Sequence, residues 1–351
     1  MAAHDQVAET AGRFNRRAVL KTAAAAGVVA AVGPGLASTA RAQDPIKLAF
    51  SVPGLNFPFF VHMMNLAHQH ADAIGGIEFR ELDGQEAGQP SSTKQSNDID
   101  AIIADGFNAL VISPNDVQAL APAIQAAIDA GLVVVTVDRN VTDVATLAHV
   151  GADNVIGGEA QGTYLLEILP DGGTVFELEG QPGATPAIDR KKGLHNIIDA
   201  QEAVQIVFEQ TANFGRSEGL TITETALQSN DAPAAIVCAN DDMAFGAIEA
   251  LSAAGLTVPV IGFDALPEAL QAIQAGTMSA TVEQFPGQQA TTAIDIALAK
   301  LKDGTDPAQH DTYLTPIILS AENLGQAERA EEAGITPTGS PVASPEASPT
   351  A

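Results

Sequence analysis

Tryptophan is absent from this chain of 351 residues, tyrosine occurs twice and cysteine once. The single cysteine, Cys238, excludes an intramolecular disulfide and a cysteine-based zinc site. Basic residues are scarce: 16 Lys and Arg stand against 43 Asp and Glu, for a formal net charge of -27. That balance excludes a nucleic-acid surface, which needs a positive field to displace counterions from phosphates, and it excludes a basic membrane-surface protein. No G-x-S-x-G elbow and no Gly-rich phosphate loop ending in Lys-Ser/Thr occurs, so two common enzyme signatures are missing. What the chain does have is 46% hydrophobic residues, enough for a sizeable core, and a length that fits about two domains of roughly 100–200 residues. With no tryptophan, aromatic stacking falls to the 13 phenylalanines.

The two ends stand apart in composition. Arg16-Arg17 precede a short apolar stretch, Ala23 to Ala31, and Ala40-Arg41-Ala42 follows as a small-x-small cleavage site. That order is the layout of a secretory signal, and the paired arginines with a modest Ala/Gly-rich region resemble the twin-arginine type. Residues 1–42 are therefore expected to be a cleaved export signal. Pro34 and Gly35 interrupt the apolar run, and no cysteine near the cleavage site could carry a lipid anchor. Residues 1–42 hold five basic and two acidic residues, so cleavage leaves a more acidic chain. At the other end, small residues and prolines from 326 to 351 suggest a flexible Pro/Ser/Thr-rich tail.

Between these ends, strand-like apolar runs alternate with helical patterns. Strands are expected at 46–52, 77–82, 109–113 and 132–138, with helices at 59–73, 91–104 and 117–130. The cadence resumes after about residue 150, with helices at 158–169, 188–200, 217–228 and 242–253 and strands at 173–179, 204–210, 235–239 and 258–263. Repeated strand–helix–strand units imply an α/β fold of doubly wound parallel sheets. In such sheets ligands bind beyond the carboxyl ends of the strands.

Chemistry-bearing residues recur at those ends. Phe57, Phe59 and Phe60 follow the first strand on a proline-containing turn, where rings can form a binding wall. Asp138-Arg139 offers an acceptor beside a fork-shaped donor. Asn240-Asp241-Asp242, Asp264 and Glu283-Gln284 follow later strands, and one of the first three is free to cap the next helix. Flat rings stack on the C–H faces of a sugar while polar side chains take its hydroxyls. His62, His68 and His70 do not form a metal cluster on a helix, because steps of about 600° and about 200° put them on different faces.

The segments Pro58-Phe59-Phe60, Leu110-Val111-Ile112-Ser113-Pro114, Val137-Asp138-Arg139, Asp153 to Gly158, Asn240 to Ala247, Gly262-Phe263-Asp264 and Ala280 to Pro286 fall in family order. Over residues 46–320 the chain resembles the ribose/galactose-type periplasmic sugar-binding proteins, the type I substrate-binding components of ABC importers. The resemblance implies a two-lobe clamshell joined by a three-strand hinge. Lobe 1 would be 44–152 plus 285–313, and lobe 2 would be 153–284 plus 314–325. It places Phe59, Phe60, Asp138, Arg139, Phe214, Asn240, Asp264 and Gln284 at the ligand.

Three further positions depart from the ribose-type pattern. Phe57 and Ser113 stand where those members carry Asn, and Ile188 stands where they carry a ligand-binding Arg. Arg190 matches the family's second Arg, which does not bind ligand. Each lost hydrogen bond to a buried hydroxyl would cost about 1–3 kcal/mol, which weighs against ribose itself.

The resemblance further implies a monomer in the periplasm or outside the cell that hands a monosaccharide or sugar alcohol to a permease, with no cofactor, no metal and no catalytic residue. A sugar sensor docking on a chemoreceptor or histidine kinase is the alternative. A repressor of the same architecture would need a basic DNA-binding unit at its N-terminus, where the export signal stands.

Overall fold

The computed structural model describes residues 44–339; the expected export signal at 1–42 and the end of the tail lie outside them. The described chain begins with β1 (Ile46–Val52), α1 (Pro58–Ile74), β2 (Ile77–Asp83), the short β3 (Gln85–Glu86) and β4 (Gln89–Pro90), and α2 (Ser92–Ala104). Next come β5 (Ala109–Ile112), α3 (Ala121–Asp129), β6 (Val133–Val137) and β7 (Ala148–Ala152). The second half runs α4 (Asn154–Ile168), β8 (Gly173–Glu179), α5 (Thr185–Ile198), β9 (Val204–Thr211), α6 (Arg216–Ser229) and β10 (Ala235–Cys238). It continues with α7 (Asp241–Ala253), β11 (Val260–Ile261), α8 (Pro267–Gln274), β12 (Thr281–Glu283) and α9 (Pro286–Asp303). β13 (Asp311–Leu314), β14 (Ile317–Leu319) and a 3-10 turn at Leu324–Gln326 complete it.

Two parallel sheets organise these elements. One has the order β13-β7-β6-β5-β1-β2, the other β11-β10-β8-β9. Alternation along each strand divides its side chains between two faces. Leu48, Phe50, Val111 and Val135 share a core with Met63, Met64 and Ala67 of α1 and with Ala290, Ala293 and Ile294 of α9. Ala49, Leu110, Ile112 and Val134 pack on the other face with Ile99 and Ile102 of α2 and Ile124 of α3. The smaller sheet does the same. Phe176, Ile236 and Cys238 join Ala244, Ala247 and Leu251 of α7, while Val175, Val237 and Ile261 meet Leu165 of α4 and Leu194 of α5. Helices on both faces are what make β5 and β10 apolar at every position.

The chain passes between the two sheets at β7 to α4, β12 to α9 and β13 to β14, where β12 and β14 pair antiparallel. Phe285, at the second passage, holds a left-handed φ of 56° immediately before Pro286 opens α9.

Two local expectations differ from the structure. The helix expected at 158–169 begins at Asn154, capped by Asp153, whose side chain accepts from the Ile156 amide. Gly157 and Gly158, outside and at the start of the expected helix, lie inside it where close neighbours leave no room for a side chain: a Cβ on Gly158 would sit 2.1 Å from the Arg190 carbonyl oxygen of α5, and one on Gly157 2.6 Å from the Phe263 ring. The second difference is the tail. Of the segment 326–351 expected to be flexible, residues 326–335 pack against the core, with Ala327, Ala330 and Ala333 buried, while 336–339 are exposed. Alanines at every third position bury without bulky side chains, so low complexity concealed a packed segment.

Candidate functional site

The carboxyl ends of the strands converge on a cavity between the two sheets. From the six-stranded side it is lined by Phe57, Phe59 and Phe60 at the start of α1 and by Asp138 and Arg139 after β6. From the other side come Pro186 and Arg190 of α5, Phe214 after β9, Asn240 after β10, Asp264 after β11 and Gln284 after β12. Every residue expected at the ligand on the family pattern lines it. Of the departing positions, Phe57 does too. Ser113 is fully buried behind it and donates to Asp138 Oδ2 at 3.1 Å. Ile188 is 55% exposed and does not line the cavity. Arg190, expected to stay off the ligand, is in the lining instead. The two positions are about 200° apart on the helix, so only one of them can face inward.

The lining is held in unusual backbone. Asp138, Phe214 and Asp264 have φ values of 60°, 61° and 110°. Each such residue costs on the order of 1–3 kcal/mol, and the surrounding bonds impose it. Asp138 N donates to Val150 O at 2.8 Å, and Asp264 N donates to Val282 O at 2.8 Å.

The charged groups form a paired set. Arg190 is buried under its own partners: Nε donates to Asn154 Oδ1 at 2.8 Å, Nη1 to Ala239 O at 2.6 Å and Nη2 to Gln284 Oε1 at 3.2 Å. Its guanidinium lies 3.6 Å from the Phe263 ring centroid and 3.5 Å from Asp264 Oδ1. Gln284 Nε2 donates to the same Asp264 oxygen at 2.6 Å. Arg139 Nη1 donates to Asn115 O at 2.9 Å, and its guanidinium lies between the Phe60 and Phe214 rings, 5.6 and 5.7 Å from their centroids.

Burial dominates the titration of these groups. It pushes the Asp264 carboxyl up to about 7 against the pull of Arg190, raises Asp138 against Arg139, and brings Arg139 down to about 10. Asn240 takes the helix-cap role, accepting from the Met243 amide at 3.0 Å while its Nδ2 donates to Phe214 O at 3.1 Å. Among the described residues, Asp138 Oδ1, Asp264 Oδ2 and Arg139 Nη2 have no hydrogen-bond partner in the protein.

The rim of the cavity is bridged. Gln181 Nε2 donates to Asn115 Oδ1 at 3.0 Å, Asn140 N to Thr185 Oγ1 at 3.3 Å, and Val117 N to Gly183 O at 3.3 Å. Asn115, Val117 and Asn140 belong to the six-stranded side, and their partners to the other.

Comparison with known proteins settles the family. The periplasmic binding protein domain model matches residues 48–306. This chain is a type I periplasmic binding protein of the ribose/sugar class. It is 38% identical over 256 residues to the ribose import binding protein RbsB of Bacillus subtilis (strain 168), covering 72% of this chain and 82% of that one. The crystal structure of the Caulobacter myo-inositol binding protein bound to myo-inositol superposes with a TM-score of 0.76 at 39% identity, covering 82% and 97% of the two chains. A galactofuranose binding protein gives a TM-score of 0.76 at 28% identity over 83% and 100%. These relatives are binding proteins, and this periplasmic binding protein is not an enzyme.

The histidines of α1 each meet a different acid: His62 bonds Glu328 at 3.2 Å, His70 bonds Asp295 at 2.8 Å, and His68 bonds Glu81. Among the described residues one group brings ligand-type atoms within 4.8 Å of one another, namely Glu177, His195 and Glu209 on the smaller sheet. Lys191 already bonds Glu209 and Glu179 there, so the excess negative charge is met by an ammonium.

Proposed function

We propose that this protein captures a neutral monosaccharide or sugar alcohol between two lobes outside the cytoplasm and delivers it to an ABC permease. The observation that carries this is the cavity lining. Phenylalanine rings line it from both sides, and unpartnered atoms of Asp138, Asp264 and Arg139 belong to residues that line it. Two carboxyl groups stand beside two guanidiniums, so the site offers many hydrogen-bond partners to hydroxyls. Phenyl faces and polar edges together suit a polyhydroxylated ring.

The lobes of this reading are 44–152 plus 285–313 and 153–284 plus 314–325, meeting at the passages between the sheets. Ligand draws them together by hinge closure, and the permease reads the closed form. The export signal delivers the mature, monomeric chain to the periplasm.

Phe57 and Ser113 stand where ribose-type members carry Asn, which weighs against D-ribose, and the likeness to the Caulobacter myo-inositol binding protein places myo-inositol first among the ligands to test. The experiment is a thermal-shift panel of pentoses, hexoses, deoxysugars, glycerol and cyclic polyols, since a ligand that binds only the native state raises its midpoint. A shift with a neutral polyhydroxyl compound, lost in Asp138→Ala while that variant stays folded, is the expected result. Shifts with amino acids or purines alone would overturn the reading.

A further inference from the structure

The C-terminal segment, residues 324–339, touches elements of both sheets. Leu324, Ala327, Ala330 and Ala333 are buried at every third position. The amides of Ala327, Ala330 and Ala333 donate to the carbonyls three residues earlier, so the segment presents one narrow apolar edge. Thr338 N donates to Gly325 O at 2.8 Å and ties its end back to its start.

Glu328 is the anchor on the six-stranded side. Its carboxylate accepts from Gly287 N at 2.9 Å and Gln288 N at 3.1 Å, the opening amides of α9, where a negative charge also meets the positive end of the helix. His62 Nε2 of α1 lies 3.2 Å from the same carboxylate. The Glu328 amide donates to Glu283 Oε2 at 2.7 Å. Glu283 ends β12, is buried, and accepts from the amides of Gln284 and Phe285 at 2.8 and 2.7 Å within the passage from β12 to α9. On the other side, Gln271 Nε2 of α8 donates to Ala333 O at 3.3 Å. α8 is the crossover from β11 to β12.

We infer that residues 324–339 are a strap between the lobes that restrains their opening and thereby sets ligand affinity. This inference rests on the two-lobe reading above. Opening by rotation about the passages moves α8 relative to α1 and α9. A segment bonded to both, and to the passage itself, must release one side before the lobes separate. The strap therefore favours the closed arrangement in the free protein, and a larger closed fraction raises apparent affinity in proportion. Glu328 and Gln271 are positioning residues in this device, because neither lines the cavity.

The test measures the distance between lobes in the full chain. Spin labels on Asp100→Cys of α2 and Glu224→Cys of α6 report it by pulsed electron resonance, and the native Cys238 is buried and spared. In the free protein, Glu328→Ala is expected to shift the distribution away from that of the parent, toward the open form. Saturating myo-inositol or D-ribose, whichever binds, is expected to restore it, with Kd weakened about three- to tenfold. Free-state distributions identical to the parent's would overturn the strap. If Glu328→Ala does not fold, Gln271→Leu, which removes only the bond to α8, decides alone by the same criterion. The free-state measurement needs no ligand, so failure of every carbohydrate to bind would sink the proposed ligand class without touching this result.

Discussion

Arg190 is the residue on which the cavity turns. It bonds Asn154, Ala239 O and Gln284, stacks on Phe263 and faces Asp264 while itself buried. Removing one partner of a buried ion pair strands the other. Arg190→Met is therefore expected to destabilise the fold by about 3–5 kcal/mol in denaturant titration and to abolish the ligand-induced thermal shift. Ile188→Ser, two positions earlier and facing solvent, is expected to leave both stability and affinity within experimental error in the same assays. These residues also mark a limit of reading by motif. Spacing along the chain could not say which of two neighbouring positions faces the cavity, and the packing of α5 against α4 decides it. The strand-end residues Asp138 and Asp264 were legible, because each follows a strand of a parallel sheet, whose carboxyl end faces the crevice.

At the scale of elements, the close approach of α4 and α5 is what seats Arg190. Gly158 faces the backbone of α5 and Gly193 that of α4: a Cβ on Gly193 would lie 2.1 Å from Val155 O, and one on Gly158 would lie 2.1 Å from Arg190 O. Both contacts are with backbone, so no side chain can give way. Gly158→Ala is expected to cost about 1–3 kcal/mol and to weaken ligand binding by displacing Arg190, with denaturant titration and calorimetry as the paired measurements. Read as sequence, Gly157-Gly158 suggested the edge of a helix rather than its interior. Helix propensity is a local quantity, and here tertiary packing supplies the reason for the glycine. β7 was missed for a similar reason. Ala148-His149-Val150-Gly151-Ala152 has weak strand character, yet it is wholly buried between β6 and β13.

Across the whole molecule, several carboxyl groups are held in the native state with raised pKa. Burial takes Glu177 and Asp264 to about 7 and Glu283 to about 8, the last with help from the nearby Glu328. Each therefore keeps a proton in the folded state at pH values where the unfolded chain has lost it. Their stabilising contribution is complete below the unfolded values near 4, and it is lost as pH rises through about 7 to 8. His149 opposes this at lower pH, because burial brings its pKa down to about 4 and its contribution is lost as pH falls below 6.5. The window free of that opposition runs from about 6.5 to about 8. There the thermal midpoint is expected to fall with rising pH. His195, whose pKa is raised in contact with Glu177 although burial works against it, adds to the same trend. Glu177→Gln, on the smaller sheet and away from the cavity, is expected to flatten the fall. An unchanged slope in that variant would mean Glu177 titrates alike in both states.

The sequence by itself determined the periodic strands and helices, hence two doubly wound sheets, and the polar and aromatic residues at the carboxyl ends of their strands. Alternation and chain direction are properties of consecutive residues, so they can be read without coordinates. The tertiary structure decided that Arg190 rather than Ile188 lines the cavity, that paired glycines sit inside packed helices, and that an alanine-spaced segment past residue 326 bonds elements of both sheets. Each of these depends on what a distant segment places opposite a residue, and small side chains carry no local sign of the partner that buries them.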